Sequence, residues 1–169
     1  LLPDRSAEDQ QDWSANKFYS EAKDKLNDGN YAAAIKLYES LEARYPYGRI
    51  AQQAQLEIAY AHYKNEEPAS AIAATDRFIK LHPNHVNVDY AYYIKGLSSF
   101  NDNWGMMGFL MKGPIKQDMS ERDSKASRES FENFKELVAR FPESKYAADA
   151  RQRMAYLLNA VAMSEIHIA

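Results

Sequence analysis

His82 and His85, in the run His82-Pro83-Asn84-His85, are the residues of this chain whose spacing comes nearest to starting a metal site. A closed zinc site needs four N, S or O ligands in tetrahedral array. No acidic residue or third imidazole has a fitting local spacing here. His62 and His167 stand alone on helical stretches and read as structural or exposed. Glu66-Glu67 and Glu8-Asp9 read as solvated charge near turns and termini. The chain has no cysteine, which removes disulfides, thiolate ligands, a cysteine nucleophile and any thiol that could carry a lipid. It contains no phosphate loop, dinucleotide fingerprint or nucleophile elbow. These residues argue for no catalysis and no cofactor.

The chemistry left is non-covalent. The aromatic residues are twelve Tyr, seven Phe and two Trp, and tyrosine suits helix cores and peptide-binding surfaces alike. A formal charge of −3 supplies no broad cationic field, so no nucleic-acid partner is expected. With 46% apolar and 27% charged residues over 169 positions, the chain can bury a continuous core. No stretch approaches the ~20 apolar residues that span a bilayer. The start, Leu1-Leu2-Pro3-Asp4-Arg5, lacks the basic and long apolar parts of a signal peptide. Either the protein is cytosolic or a targeting segment precedes this sequence.

The elements that must position these tyrosines repeat along the chain. Ala22, Gly29, Tyr31, Ala34, Tyr38 and Pro46 fall at the small, turn-glycine, aromatic, small, aromatic and helix-ending positions of the 34-residue tetratricopeptide motif. Small residues let antiparallel helices approach, and aromatics fill the gaps beside them. A second copy carries Ala59, Ala71, Phe78 and Pro83, with Glu66 at the turn-glycine place and Pro68 opening its second helix. A third is split: Tyr92, Gly96 and Phe100 serve its first helix, and Phe131, Phe134, Leu137 and Pro142 its second. Between them lies an insertion over 101–122, after which Asp123 or Ser124 caps the resuming helix. Ala147, Ala150, Ala155 and Tyr156 begin a fourth copy with the spacing of Ala51, Ala54, Ala59 and Tyr60.

The expected fold is therefore all-α, a tetratricopeptide-repeat superhelix of antiparallel helix pairs. Residues 1–14 form a flexible extension. Residues 15–169 form the repeat domain, with repeats at about 15–48, 52–85 and 89–144 and a fourth first helix from about 145. A last helix without a partner implies a longer natural protein; the alternative is a capping helix.

First helices line the inner wall of such an array. The register sends Asn16, Tyr19, Lys23, Leu26 and Asn27 to the groove from repeat one. Repeat two sends Gln53, Leu56, Tyr60, Tyr63 and Lys64, and repeat three Tyr90, Tyr93, Leu97, Phe100 and Asn101. Tyr19, Tyr60, Tyr63, Lys64, Tyr90 and Tyr93 are the candidates for peptide contact. Tyr63 and Phe100, at the twelfth motif position, read first as packing residues. The insertion holds Trp104, Met107, Phe109 and Leu110 among glycines. Leaving such side chains in water forgoes roughly 1.5–3 kcal/mol each, so the loop either folds back onto the array or contacts a partner.

Several junctions go beyond what a generic repeat requires. They include Asp28-Gly29-Asn30-Tyr31, Arg44-Tyr45-Pro46-Tyr47-Gly48, Gln52-Gln53-x-Gln55-Leu56, Asp76-Arg77-Phe78-Ile79 and His85-x-Asn87-x-Asp89-Tyr90. Over roughly residues 18–160 the chain resembles the BamD family, the ComL-like lipoproteins of the outer-membrane β-barrel assembly machinery. The resemblance implies a scaffold and substrate-recognition subunit on the periplasmic face of the outer membrane of a Gram-negative bacterium. It implies a lipid anchor on a cysteine upstream of Leu1 and five repeats in the intact protein. The implied partners are BamA, the accessory lipoproteins of the same complex and unfolded outer-membrane proteins. The family's BamA contacts lie largely in later repeats, so no such site is carried over. The alternative is another periplasmic tetratricopeptide lipoprotein that coordinates cell-wall or envelope processes. Co-chaperone repeats that grip a C-terminal carboxylate use groove lysine and asparagine; here Tyr19 and Lys23 hold the fifth and ninth positions, so that pattern is missing.

Overall fold

Proline and glycine decide where the helices stop. The computed structural model describes residues 9–100 and 121–168. Its helices are α1 (Ala15–Asn27), α2 (Tyr31–Arg44), α3 (Arg49–Lys64), α4 (Pro68–Leu81), α5 (Val88–Ser99), α6 (Glu121–Arg140) and α7 (Ala147–Ile168). Among the described residues there is no strand, and no helix is long and apolar enough to cross a membrane. The fold is a helical repeat of the tetratricopeptide type.

The turns follow their residues. Ser14 caps α1 by accepting from the Lys17 N–H at 3.2 Å, and Asn30 caps α2 by accepting from the Ala33 N–H. Gly29 closes α1 in the left-handed region (φ 77°), with Asn30 N–H donating to Lys25 O and Gly29 N–H to Leu26 O. Glu66 adopts the same conformation after α3 (φ 59°), and its N–H donates to Tyr63 O. The second repeat thus makes a glycine's turn without the glycine. Helices α2, α4 and α6 each end two residues before a proline, where Tyr45, His82 and Phe141 donate to Leu41 O, Phe78 O and Leu137 O.

The repeat register reappears in burial. Ala34, Tyr38 and Leu41 on α2, Ala71, Thr75 and Phe78 on α4, and Ser130, Phe134 and Leu137 on α6 are all fully buried. Each triplet has the i, i+4, i+7 spacing of one helix face. Ser130, rather than the half-buried Phe131, takes the small position on α6. Its hydroxyl donates to Gly96 O at 3.0 Å, so even this buried polar group is satisfied.

The chain forms two compact units, Leu1–Glu66 and Glu67–Ala169. In the first, α2 packs against both α1 and α3, and α1 also touches α3. Residues 10–13 of the expected extension are tied down: Arg44 donates to Gln10 O and Gln11 O, and the Tyr45 hydroxyl donates to Trp13 O. In the second, α4 packs on α5, α5 on α6, and α6 on α7. A Cβ on Gly96 would sit 2.5 Å from Phe134 Cε1, so the close α5–α6 approach depends on glycine there.

Other expectations change as well. Asp123 and Ser124 lie inside α6, so neither caps its start. Ala155 and Tyr156 are exposed, unlike Ala59 and Tyr60; α7 buries Ala147, Ala150 and Leu157 against α6 instead. Leu26, Leu56 and Leu97, expected in the groove, are core residues at 6%, 1% and 9% exposure. Leucine has no polar end to keep in water, so burial wins wherever a neighbouring helix is in reach. Trp104, Met107, Phe109 and Leu110 lie outside the described residues.

Candidate functional site

In the first unit the candidate face is built on α1 and α3. Tyr19 and Lys23 stand one turn apart on α1, and Gln53 and Glu57 one turn apart on α3. All three possible donors converge on one atom, Glu57 Oε1: the Tyr19 hydroxyl at 3.1 Å, Lys23 Nζ at 3.0 Å and Gln53 Nε2 at 3.3 Å. Glu57 is 9% exposed. A carboxylate so far out of water needs charge-assisted partners, and it has them. Burial, followed by the Glu57 charge and its hydrogen bond, pushes the Tyr19 hydroxyl far above the tyrosine range. Tyr19 meets Tyr38 edge to face at 5.5 Å. The Tyr38 hydroxyl is buried without a hydrogen-bond partner, and burial with the Glu57 charge raises it as well. Tyr60 and Tyr63 on α3 are half-buried, and Lys64 at its last turn is exposed.

The second unit joins α5 to α7 and the turn before it. The ring of Tyr146 stacks on Tyr93 at 4.7 Å and lies 5.2 Å from Tyr90. Lys145 sits over the same Tyr146 ring, and the Arg153 guanidinium over Phe100, at 5.1 and 5.0 Å. The Tyr93 hydroxyl donates to Asp149 Oδ2 at 2.5 Å, and Arg153 Nε donates to the same oxygen at 2.7 Å. Burial first, then this hydrogen bond, pushes Tyr93 up to about 12. Burial alone would raise the Asp149 carboxyl, but Tyr93 and Arg153 outweigh it and hold it below the usual range. At the base of the face the Ser144 hydroxyl donates to Asp89 Oδ2 at 2.7 Å.

Tyr19, Tyr90 and Tyr93 therefore lie on side-chain networks, and Tyr60, Tyr63 and Lys64 share the surface of α3. Glu57, Asp149, Arg153 and Tyr146 were not singled out from sequence. A signal for Glu57 was present: it interrupts the apolar run Leu56, Ile58, Ala59, Ala61, and an acid among such neighbours must find a donor. Asp149 and Arg153 carry the i, i+4 spacing of a helical ion pair. His82 and His85 pack on the Phe78 ring at 5.1 and 5.2 Å, and His85 Nδ1 accepts from the Asn87 N–H. No cluster of metal-binding side chains occurs among the described residues.

Repeated helix faces punctuated by left-handed turns and proline stops, with tyrosine–carboxylate networks on the first helices, define a tetratricopeptide-type repeat protein. A family described as outer membrane lipoprotein (YfiO) matches residues 11–169, and the chain belongs to that family. A relative from Neisseria meningitidis serogroup B is 51% identical over 98% of this chain and 61% of its own length; it is named outer membrane protein assembly factor BamD. Relatives with the same name come from Xylella fastidiosa, 37% identical over 89% of this chain and 50% of theirs, and Vibrio cholerae, 36% over 91% and 62%. The chain thus spans about half to three-fifths of the length of these relatives.

Proposed function

We propose that this chain is a scaffold and substrate-recognition part of the machinery that assembles β-barrel proteins in the outer membrane. In this reading it works at the periplasmic face, held there by a lipid anchor. It binds BamA, the accessory lipoproteins and unfolded outer-membrane protein segments, and catalyses nothing itself. The observation that carries the reading is the 51% identity across 98% of the chain to a relative named as an outer-membrane assembly factor.

The geometry supports a recognition role at the level of side chains. Each unit presents tyrosine rings on its first helices, held by hydrogen bonds or stacking rather than left to rotate. Rings fixed before contact lose little conformational entropy when a partner docks. Aromatic rings are also the side chains that most often dominate such contacts. Tyr60, Tyr63 and Lys64 in the first unit, and Tyr90 and Tyr93 in the second, are the residues that meet the client. Tyr19 contributes its ring from a hydroxyl already committed to Glu57. Lys64 pairs with a client acid.

The test is a fluorescence titration with a peptide from the aromatic C-terminal segment of an outer-membrane β-barrel protein. Changing Tyr60 and Tyr93 together to alanine raises Kd by roughly tenfold or more, as loss of central aromatic contacts does. Unchanged affinity in a folded double variant contradicts the assignment. Recovery of BamA with the tagged full-length protein from envelope extracts tests the partner reading separately.

A further inference from the structure

In the first unit three side-chain donors surround one carboxylate oxygen of the protein's own Glu57. Tyr19, Lys23 and Gln53 come from two helices, and their polar ends meet at a single oxygen. That is a donor set for an anion, with one positive charge and two neutral donors. It differs from the lysine–asparagine clamp in composition, which is why the sequence pattern for that clamp is missing. The ligand in place is the Glu57 carboxylate.

The two halves of the ion pair differ in access. The Glu57 side chain is 11% exposed, whereas that of Lys23 is 41% exposed. An ammonium group has three donors, and Glu57 Oε1 takes one of them here. A second carboxylate can therefore approach Lys23 from the solvent side without prior unfolding. Once there it competes with Glu57 for the same charge. The Tyr38 ring meets the Tyr19 ring edge to face, and its buried hydroxyl has no partner and is not one of the three donors.

We propose that Lys23, with Tyr19 and Gln53, binds a carboxylate of the client polypeptide, and that Glu57 is a built-in competitor that keeps this binding weak and reversible. The inference rests on the peptide-recognition reading above and names the chemistry that one of its faces takes. A client carboxylate that takes these donors leaves the poorly exposed Glu57 short of partners, which is the cost that keeps the exchange reversible.

The test uses three forms of one ten-residue aromatic peptide without acidic side chains: the free acid, the C-terminal amide, and the amide with one internal Asp. Each is titrated against the chain and against Glu57→Gln and Lys23→Gln, with circular dichroism reporting folding. Gln at position 57 still accepts from Tyr19 but no longer neutralises Lys23. Glu57→Gln is expected to tighten the carboxylate-bearing form by roughly fivefold and leave the plain amide unchanged. Lys23→Gln is expected to reduce the preference for the carboxylate-bearing form by a similar factor, leaving only what Lys64 contributes. A gain for the free acid identifies a chain terminus as the ligand, and a gain for the Asp form an acidic side chain. Equal binding of all three forms to every protein overturns the inference and leaves peptide recognition standing. Absence of binding by any form overturns both. If Glu57→Gln does not fold, Lys23→Gln decides alone: a carboxylate preference that it leaves undiminished is fatal to the proposal.

Discussion

The two units present the same motif position, Tyr19 in one and Tyr93 in the other, and hold it in different ways. In the first, the tyrosine and a lysine from α1 reach across to an acid on α3, so an ion pair joins two helices. In the second, the ion pair Asp149–Arg153 lies within α7, and the link from α5 to α7 is the Tyr93 hydroxyl and its stacked ring. The first face depends on charge and the second on aromatic contact. A similar contrast lies beneath them, where the equivalent buried positions are Tyr38, with its hydroxyl unpartnered, and Phe134, which fills the space left by Gly96. The repeat fixes the place of a group and leaves its chemistry free to vary.

The largest test of this contrast is Phe134→Ala. Emptying the fully buried space beside Gly96 costs about 3–5 kcal/mol, read by urea denaturation. Next come two reciprocal exchanges. Phe134→Tyr puts a hydroxyl into a fully buried position and is expected to cost about 1–3 kcal/mol, whereas Tyr38→Phe removes an unpartnered hydroxyl and is neutral or stabilising. A Tyr38→Phe cost as large as that of Phe134→Tyr would show that the Tyr38 hydroxyl is a satisfied group, and the contrast would fail.

The alkaline stability of the second unit follows from Tyr93. Its folded value, about 12, lies above the ordinary value of about 10. The contribution of the neutral hydroxyl is therefore complete below about pH 10 and is lost as pH rises towards 12. Asp149 has the opposite sign: its contribution is present above about pH 4 and disappears as pH falls through its lowered value. Tyr93→Phe removes the tyrosine part, so the gap in Tm between the two proteins narrows above pH 10. A constant gap from pH 8 to 12 would contradict this.

The smallest effect belongs to Lys23→Gln in the absence of ligand. The pair is part-exposed, and its loss costs about 0.2–1 kcal/mol, declining as salt screens it.

The helices and their register were legible because glycine, proline and small residues act locally. Pro46, Pro83 and Pro142 announced their stops, and Ala34, Tyr38, Ala71, Phe78, Phe134 and Leu137 their buried faces. Glu66 shows that a turn can keep its shape when its signature residue is gone. The site was less legible. Motif position named Tyr19 and Tyr93, but their carboxylate partners lie 38 and 56 residues along the chain, and no local pattern joins them. The leucines expected in the groove were misplaced because motif position alone does not weigh a leucine against its neighbours.

The central claim is that the first-helix faces, rather than exposed aromatics in general, meet the client. A photo-crosslinking amino acid placed at Tyr60, at Tyr90, or at Tyr47 tests it directly, since Tyr47 is a fully presented ring at 91% exposure in an inter-helix turn. With an unfolded outer-membrane protein segment added, the account predicts adducts at Tyr60 and Tyr90 and few at Tyr47. Adducts concentrated at Tyr47, with the two helix faces silent, would contradict it.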